Sequence, residues 1–174
     1  MRGRNWPYTS SCVDIHAGNF AVSDDRGQVY SLNIHDNCYK LVRSARTAVC
    51  AMCFVPCRSN QLIVSYESGQ VLLIDKDSKE IIGNIQSETS GFAPVRLIRS
   101  HPTKAVALLV SEDGVVALWD LRKMQCKLSL ECDEPIVDAQ FELNGSLVML
   151  ALQESGKIVT SIAFVSVSTT TIHH

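Results

Sequence analysis

Cys50-Ala51-Met52-Cys53, with Cys57 four residues further on, has the thiol spacing from which zinc sites are built. On an extended strand, however, residues 50 and 53 point to opposite faces. No second Cys or His pair follows at ligand spacing to complete a tetrahedral set. The motif reads as core thiols. The seven cysteines are an odd number, and most lie inside apolar, strand-like runs, which fits reduced buried thiols better than a disulfide framework. Of the five histidines, His16, His35, His101, His173 and His174, only the last two are adjacent, in a Ser/Thr-rich tail where a metal would be held weakly. No Ser/His/Asp motif, Gly-rich phosphate loop or motif-borne carboxylate pair occurs. The expectation is therefore no catalysis, no cofactor and no metal. Asn144-Gly145-Ser146 fits a glycosylation acceptor but reads as a hairpin turn. Lys40, Arg43 and Arg46 could meet phosphate or an acidic partner, though three cations on an outer strand and its loop read more simply as a solvated face.

The elements that must position these groups are announced by a repeated turn. Ser111-Glu112-Asp113-Gly114 is followed by Val115-Val116-Ala117-Leu118-Trp119-Asp120, an acidic residue and a glycine leading into a β-branched run. Gly114 supplies the positive φ of a short hairpin turn, and Asp113 can accept nearby backbone N–H groups. Weaker versions stand at Asp25-Arg26-Gly27, Glu67-Ser68-Gly69 and Glu154-Ser155-Gly156. The glycines at 27, 69, 114 and 156 are 42, 45 and 42 residues apart. Similar turns at a period of roughly 40–45 residues indicate propeller blades.

Each unit reads as four short strands. The first comprises residues 12–16, 20–23, 28–34 and 38–43, and the second 48–55, 61–66, 70–75 and 80–85. The third comprises 95–99, 104–110, 115–121 and 126–131; the fourth has 136–141, 146–152 and 157–165, with its outer strand unclear. Val71-Leu72-Leu73-Ile74 and the runs 105–110 and 147–152 are continuously apolar, which implies burial on both faces, as in blades packed between neighbours. No amphipathic helix of α/β type separates the strands. The expected fold is all-β: four blades over 12–165 (12–43, 48–85, 91–131 and 135–165), an extension at 1–11, a tail at 166–174, and an incomplete ring.

A net charge of −2 argues against a nucleic-acid binder. The first 60 residues carry seven Lys/Arg against four Asp/Glu and the remainder nine against fourteen, a modest asymmetry. Met1-Arg2-Gly3-Arg4-Asn5-Trp6-Pro7 leads into no apolar h-region, and no run of 18 apolar residues occurs, so the expected compartment is the cytosol, without membrane insertion.

Gly91-Phe92, His101-Pro102, Ser111-Glu112-Asp113-Gly114 and Trp119-Asp120 together resemble one repeat of the WD-repeat family, with 28 residues from Gly91 to Trp119. The second and first units end in Ile74-Asp75 and Leu32-Asn33 at the Trp-Asp site, and the fourth in Ser161-Ile162. Phe92 stands where the family has His, so the family's buried polar network through Asp113 and Trp119 is not expected to be complete. More narrowly, the phrases 27–35, 40–48 and Lys79-Glu80-Ile81-Ile82 resemble the amino-terminal WD-repeat region found in the TBC-domain family.

The resemblance implies a non-catalytic scaffold for other proteins, at centrosomes and centriolar satellites and linked to cilium formation. Two rival expectations are an accessory propeller of a Rab GTPase-activating TBC protein and a peptide-reading substrate receptor. In a WD propeller one face is built from the turns between second and third strands and the loops between blades. Here that face would carry Asp24, Asp25, Glu67, Glu112, Asp113 and Glu154, with Arg26 the nearby cation, and Arg46 and the loop 86–92 beside them. Such a rim would suit a partner with a basic surface. Gly27, Gly69, Gly114, Gly156, Asp113, Trp119 and Asp120 are the expected structural positions of the repeat. The open blade edges are expected to favour self-association.

Overall fold

The computed structural model describes residues 8–14, 17–85, 93–153, 161–166 and 172–173. They form four antiparallel sheets of four strands each, in chain order. The first is β1 (Tyr8–Asp14), β2 (Asn19–Asp24), β3 (Gln28–Asn33) and β4 (Cys38–Ser44). The second is β5 (Val49–Val55), β6 (Arg58–Tyr66), β7 (Val71–Asp75) and β8 (Ile81–Asn84). The third is β9 (Val95–Ser100), β10 (Val106–Ser111), β11 (Val115–Asp120) and β12 (Gln125–Glu131). The fourth is β13 (Ile136–Phe141), β14 (Leu147–Leu152), β15 (Ser161–Ser166) and β16 (Ile172–His173). The first strands of successive sheets, β1, β5, β9 and β13, lie side by side, which is how propeller blades surround an axis. The architecture is a segment of a WD-type propeller.

At two places the sheets reach into stretches read as an extension and a tail. The first strand begins at Tyr8, inside the stretch read as an extension. At the other end β16 pairs Ile172 with Val165 and His173 with Phe164, which puts a short outer strand in the Ser/Thr-rich tail. Both segments are short and polar or mixed, so neither carried a strong strand pattern.

Three apolar layers hold the sheets together. Val29 and Ala21 of the first sheet meet Met52, Phe54, Leu62, Val64, Leu72 and Ile74 of the second. Ile63, Val71 and Leu73 on the second sheet's other face meet Ile98, Ala107, Leu109, Ala117 and Trp119. Val106, Leu108, Val110, Val116 and Leu118 meet Ala139, Phe141, Val148, Leu150 and Leu152. The middle strands β6, β7, β10 and β11 are buried on both sides, which explains their unbroken apolar runs.

Polar ties join the sheets as well. The Phe54 carbonyl accepts the Ser100 hydroxyl of the third sheet at 2.6 Å and the Cys53 thiol at 3.3 Å. The Phe54 backbone also neighbours the Cys12 thiol of the first sheet. His101 is fully buried between the third and fourth sheets, its ring 5.2 Å from that of Phe141. Its Nδ1 accepts the N–H groups of Thr103 and Lys104, both at 3.1 Å, and its Nε2 edge lies against Gly145.

Candidate partner-binding rim

The turns between second and third strands and the loops between sheets form one rim because the backbone ties them together. Gly27 O accepts the Ala45 N–H and Ala48 O accepts that of Glu67, so the first inter-sheet loop is strapped to two turns. Pro94 O accepts the Glu112 N–H, and Gly114 O that of Cys132. Gly27, Gly69 and Gly114 have φ of 75°, 81° and 85°, which only glycine takes without strain. Gly156 and Glu154, the fourth unit's counterparts, lie outside the described residues, as does the loop 86–92. The fourth hairpin is longer than the others. Leu152 pairs with Ser161 across eight residues, whereas Ser65 and Val71 or Val110 and Val116 enclose five. Counting back from Gly156 by the repeat would aim Met149 and Ala151 at the third sheet; Val148, Leu150 and Leu152 point there instead.

The acids expected on this rim do not all face water. Asp24 is 2 % exposed, and its Oδ1 accepts the N–H groups of Arg26 (3.0 Å) and Gln28 (2.9 Å). It shapes the first turn and offers a partner nothing, which corrects its place among the partner-facing residues. Asp113 is exposed and accepts the Ser111 hydroxyl. Glu112 is exposed too, but ion-paired with Arg96 of β9, a cation that inspection of the turns alone overlooked. Asp25, Glu67 and Arg46 are exposed. Asp133, in the loop between third and fourth sheets, adds an exposed carboxylate the turn pattern did not reveal, because it belongs to no repeated phrase.

Cys12 and Cys53 behave as core thiols, whereas Cys57 and Cys38 are exposed, which corrects the core reading of Cys57: it sits in the turn after β5, beyond the buried strand. Burial pushes the Cys12 and Cys53 thiols well up. Cys50, half-buried near Arg96, Glu67 and Glu112, is also raised, first by burial and, against the pull of Arg96, by the two carboxylates. A thiol held protonated is a poor nucleophile and a poor metal ligand. Among the described residues no three His, Cys, Asp or Glu side chains come together to hold a metal ion. No helix among them is long and apolar enough to cross a membrane.

Trp119 is 4 % exposed, packed into the layer between second and third sheets, and its Nε1 makes no hydrogen bond. Phe92, at the family's His position, lies outside the described residues. Asp120, beside Trp119, governs the turn into β12: its Oδ1 accepts the N–H groups of Arg122 and Lys123 at 3.0 and 3.1 Å. Asp75 does the same for Asp77 and Ser78, and Asn33 for His35 and Asp36. The apparently off-pattern endings Ile74-Asp75 and Leu32-Asn33 thus keep the local geometry of Trp119-Asp120.

No family model matches the chain. It is 28 % identical over 128 residues to TBC1 domain family member 31 of Xenopus tropicalis, which covers 70 % of this chain and 11 % of that protein. It is 27 % identical over 92 residues to an uncharacterized WD repeat-containing protein of Schizosaccharomyces pombe, covering 53 % of this chain and 22 % of the relative. It is also 31 % identical over 87 residues to retinoblastoma-binding-like protein E of Dictyostelium discoideum, covering 49 % and 16 %. The chain therefore spans between a tenth and a quarter of the length of these relatives.

Proposed function

We propose that this chain is a non-catalytic protein-interaction scaffold whose acidic rim receives a partner surface rich in Lys or Arg. The observation that carries this reading is a division of labour in the fold. The sheet faces pack against one another, while the rim turns hold Asp25, Glu67 and Asp113 in water, with Asp133 in the adjoining loop. Carboxylates gathered on one face make a negative field that steers cationic partners and raises association rates. Arg46 belongs to the same rim by its place in the chain. The open faces of the end sheets add association with other proteins, this chain included. The resemblance carries the location we propose, cytoplasmic and centrosomal, with a part in cilium assembly. The likeness to TBC1 domain family member 31 favours a second reading, an accessory propeller of a Rab GTPase-activating protein.

Affinity capture from cells, followed by binding kinetics with the recovered partner, tests the rim. The double variant Asp25→Lys, Glu67→Lys should bind about tenfold more weakly at low salt, mainly through a slower on-rate, and with a flatter salt dependence. Unchanged binding at low and high salt would reduce the rim to a solvated edge. The second reading requires a TBC domain in the captured product and a change in its Rab GTPase activation when this region is removed.

A further inference from the structure

We infer that the end of the third sheet opposite the acidic rim is a second docking surface, and that its occupant is an acidic segment of another protein anchored by one apolar side chain. This surface is independent of the rim and of the basic partner proposed there. In an antiparallel meander the turns alternate between two ends, so the links β9–β10 and β11–β12 share the end that the rim does not occupy. Lys104 comes from the first link, and Arg122 and Lys123 from the second. The Ala105 carbonyl accepts the Leu121 N–H at 2.9 Å, which holds the two links together. Lys127 of β12 reaches the same turn, its Nζ 3.6 Å from the Asp120 carboxylate. All four cations are exposed.

Little negative charge answers them. No acid occurs between His101 and Ser111, or between Asp120 and Glu131. Asp120 itself is half-buried, and its Oδ1 is taken up by the N–H groups of Arg122 and Lys123. The matching turn of the second sheet places Asp77 beside Lys76 and pairs the two at 2.9 Å. In the third sheet no acid stands there, and among the described residues Lys104, Arg122 and Lys123 form no ion pair. The uncancelled positive field reaches the interior. Burial first, then Lys104 and Lys127, holds the imidazole of the buried His101 below the ordinary histidine range, against the Gly145 backbone.

The neighbouring turn selects among anions. Gly145 of the β13–β14 hairpin lies against the His101 ring, and Leu143, two residues earlier, is 97 % exposed. An apolar side chain beside four cations suits a polypeptide of mixed acidic and apolar residues, and adds nothing to the binding of a phosphate backbone. No Phe, Tyr or Trp stands in these three turns to stack on a base. The carboxylates at the other end of the same sheets would repel a long polyanion, whereas a short acidic segment engages one end alone.

Fluorescence anisotropy with a labelled decapeptide of Glu and Asp around a central Leu tests this. The peptide should bind the parent chain, and more weakly as salt rises. Arg122→Glu with Lys123→Glu should weaken it about tenfold. That variant keeps the backbone N–H groups that Asp120 holds, and circular dichroism checks its fold. Arg26→Glu with Lys40→Glu, the same change of net charge placed on the first sheet, should shift the affinity by less than about twofold. Leu143→Ser should weaken the peptide about threefold and leave a peptide without the Leu unaffected. With no substitution at all, the bound peptide should raise the titration midpoint of the His101 ring resonances towards the ordinary value of about 6.5. No binding, an equal loss from the two charge reversals, or a His101 midpoint that ignores the peptide would each overturn the inference. Leu143→Ser binding both peptides as the parent does would overturn the apolar anchor. A DNA duplex bound more tightly than the peptide, through the same cations, would overturn the choice of a protein occupant. The rim reading is decided separately, by partner capture.

Discussion

Asp75 and Asp120, on the second and third sheets, hold the same turn: each Oδ1 accepts two successive backbone N–H groups, and each turn closes on a left-handed residue four positions later. Those residues are Lys79 (φ 65°) and Met124 (φ 52°), and Asn37 (φ 47°) follows Asn33 in the same way. The Ser78 N–H first, then that of Asp77, lowers the Asp75 carboxyl below its usual range, against the opposing effect of burial. At Asp120 burial pushes upward but is outweighed by the Lys123 and Arg122 N–H groups and by Lys127, whose Nζ is 3.6 Å away.

Acid should therefore weaken these two turns and spare the first. A depressed carboxyl contributes stability that is present above its unfolded value and lost as pH falls through the folded one, here below about pH 4. Asp75→Asn with Asp120→Asn should keep the turns and flatten the acid limb of the unfolding midpoint. Asp120→Ala should cost about 1 kcal/mol at neutral pH, read by urea unfolding. Asn33→Ala should cost a similar amount without altering the acid limb.

The rim glycines should differ in what a methyl group costs. At Gly69 the positive φ of 81° should by itself make Gly69→Ala cost about 1 kcal/mol. At Gly114 an added Cβ would also come 2.9 Å from the Cys132 carbonyl oxygen. At Gly27 it would collide with the Thr47 carbonyl, backbone that cannot swing aside, and the loss should reach about 3 kcal/mol. Denaturant titration should show a larger loss for Gly27→Ala than for Gly114→Ala.

His101 should make the third and fourth sheets part more easily in mild acid. Burial first, then the nearby Lys104 and Lys127, holds its imidazole below the usual histidine range, against the Gly145 backbone, which favours the charged form. The unfolded chain therefore takes up a proton that the folded one resists, and stability should fall as pH drops below about 6.5. Urea midpoints at about pH 7.5 and 5.5 check this, and His101→Gln should remove the difference. Gly145→Ala places a methyl group on Nε2 and should be costly at both pH values.

The sequence made the sheets legible and the surface only partly so. Unbroken apolar runs such as Val71-Leu72-Leu73-Ile74 state burial on both faces directly, and the turn glycines state the period. The third sheet's Trp119 and Asp120 were visible, but the equivalence of Leu32-Asn33 and Ile74-Asp75 was not, because an apolar residue and an Asx side chain fill those roles without a fixed identity. Asp24 and Asp25 are adjacent and alike in type, yet one is buried and the other exposed, a difference set by which of them the turn folds inward. Arg96 meets Glu112 only because β9 runs beside the turn after β10, a contact no spacing rule contains. The lengthened fourth hairpin was hidden by Gly156, which kept the period while the register moved.

The Phe54 carbonyl offers a spectroscopic handle on the assembly of the sheets. A carbonyl that accepts two side-chain donors, one from a neighbouring sheet, vibrates at lower frequency than one in an ordinary ladder. An isotope-edited Phe54 would therefore carry an infrared band that moves up when the third sheet leaves the second, even while each sheet keeps its own ladder. The order in which the sheets come apart could then be followed at a single peptide bond.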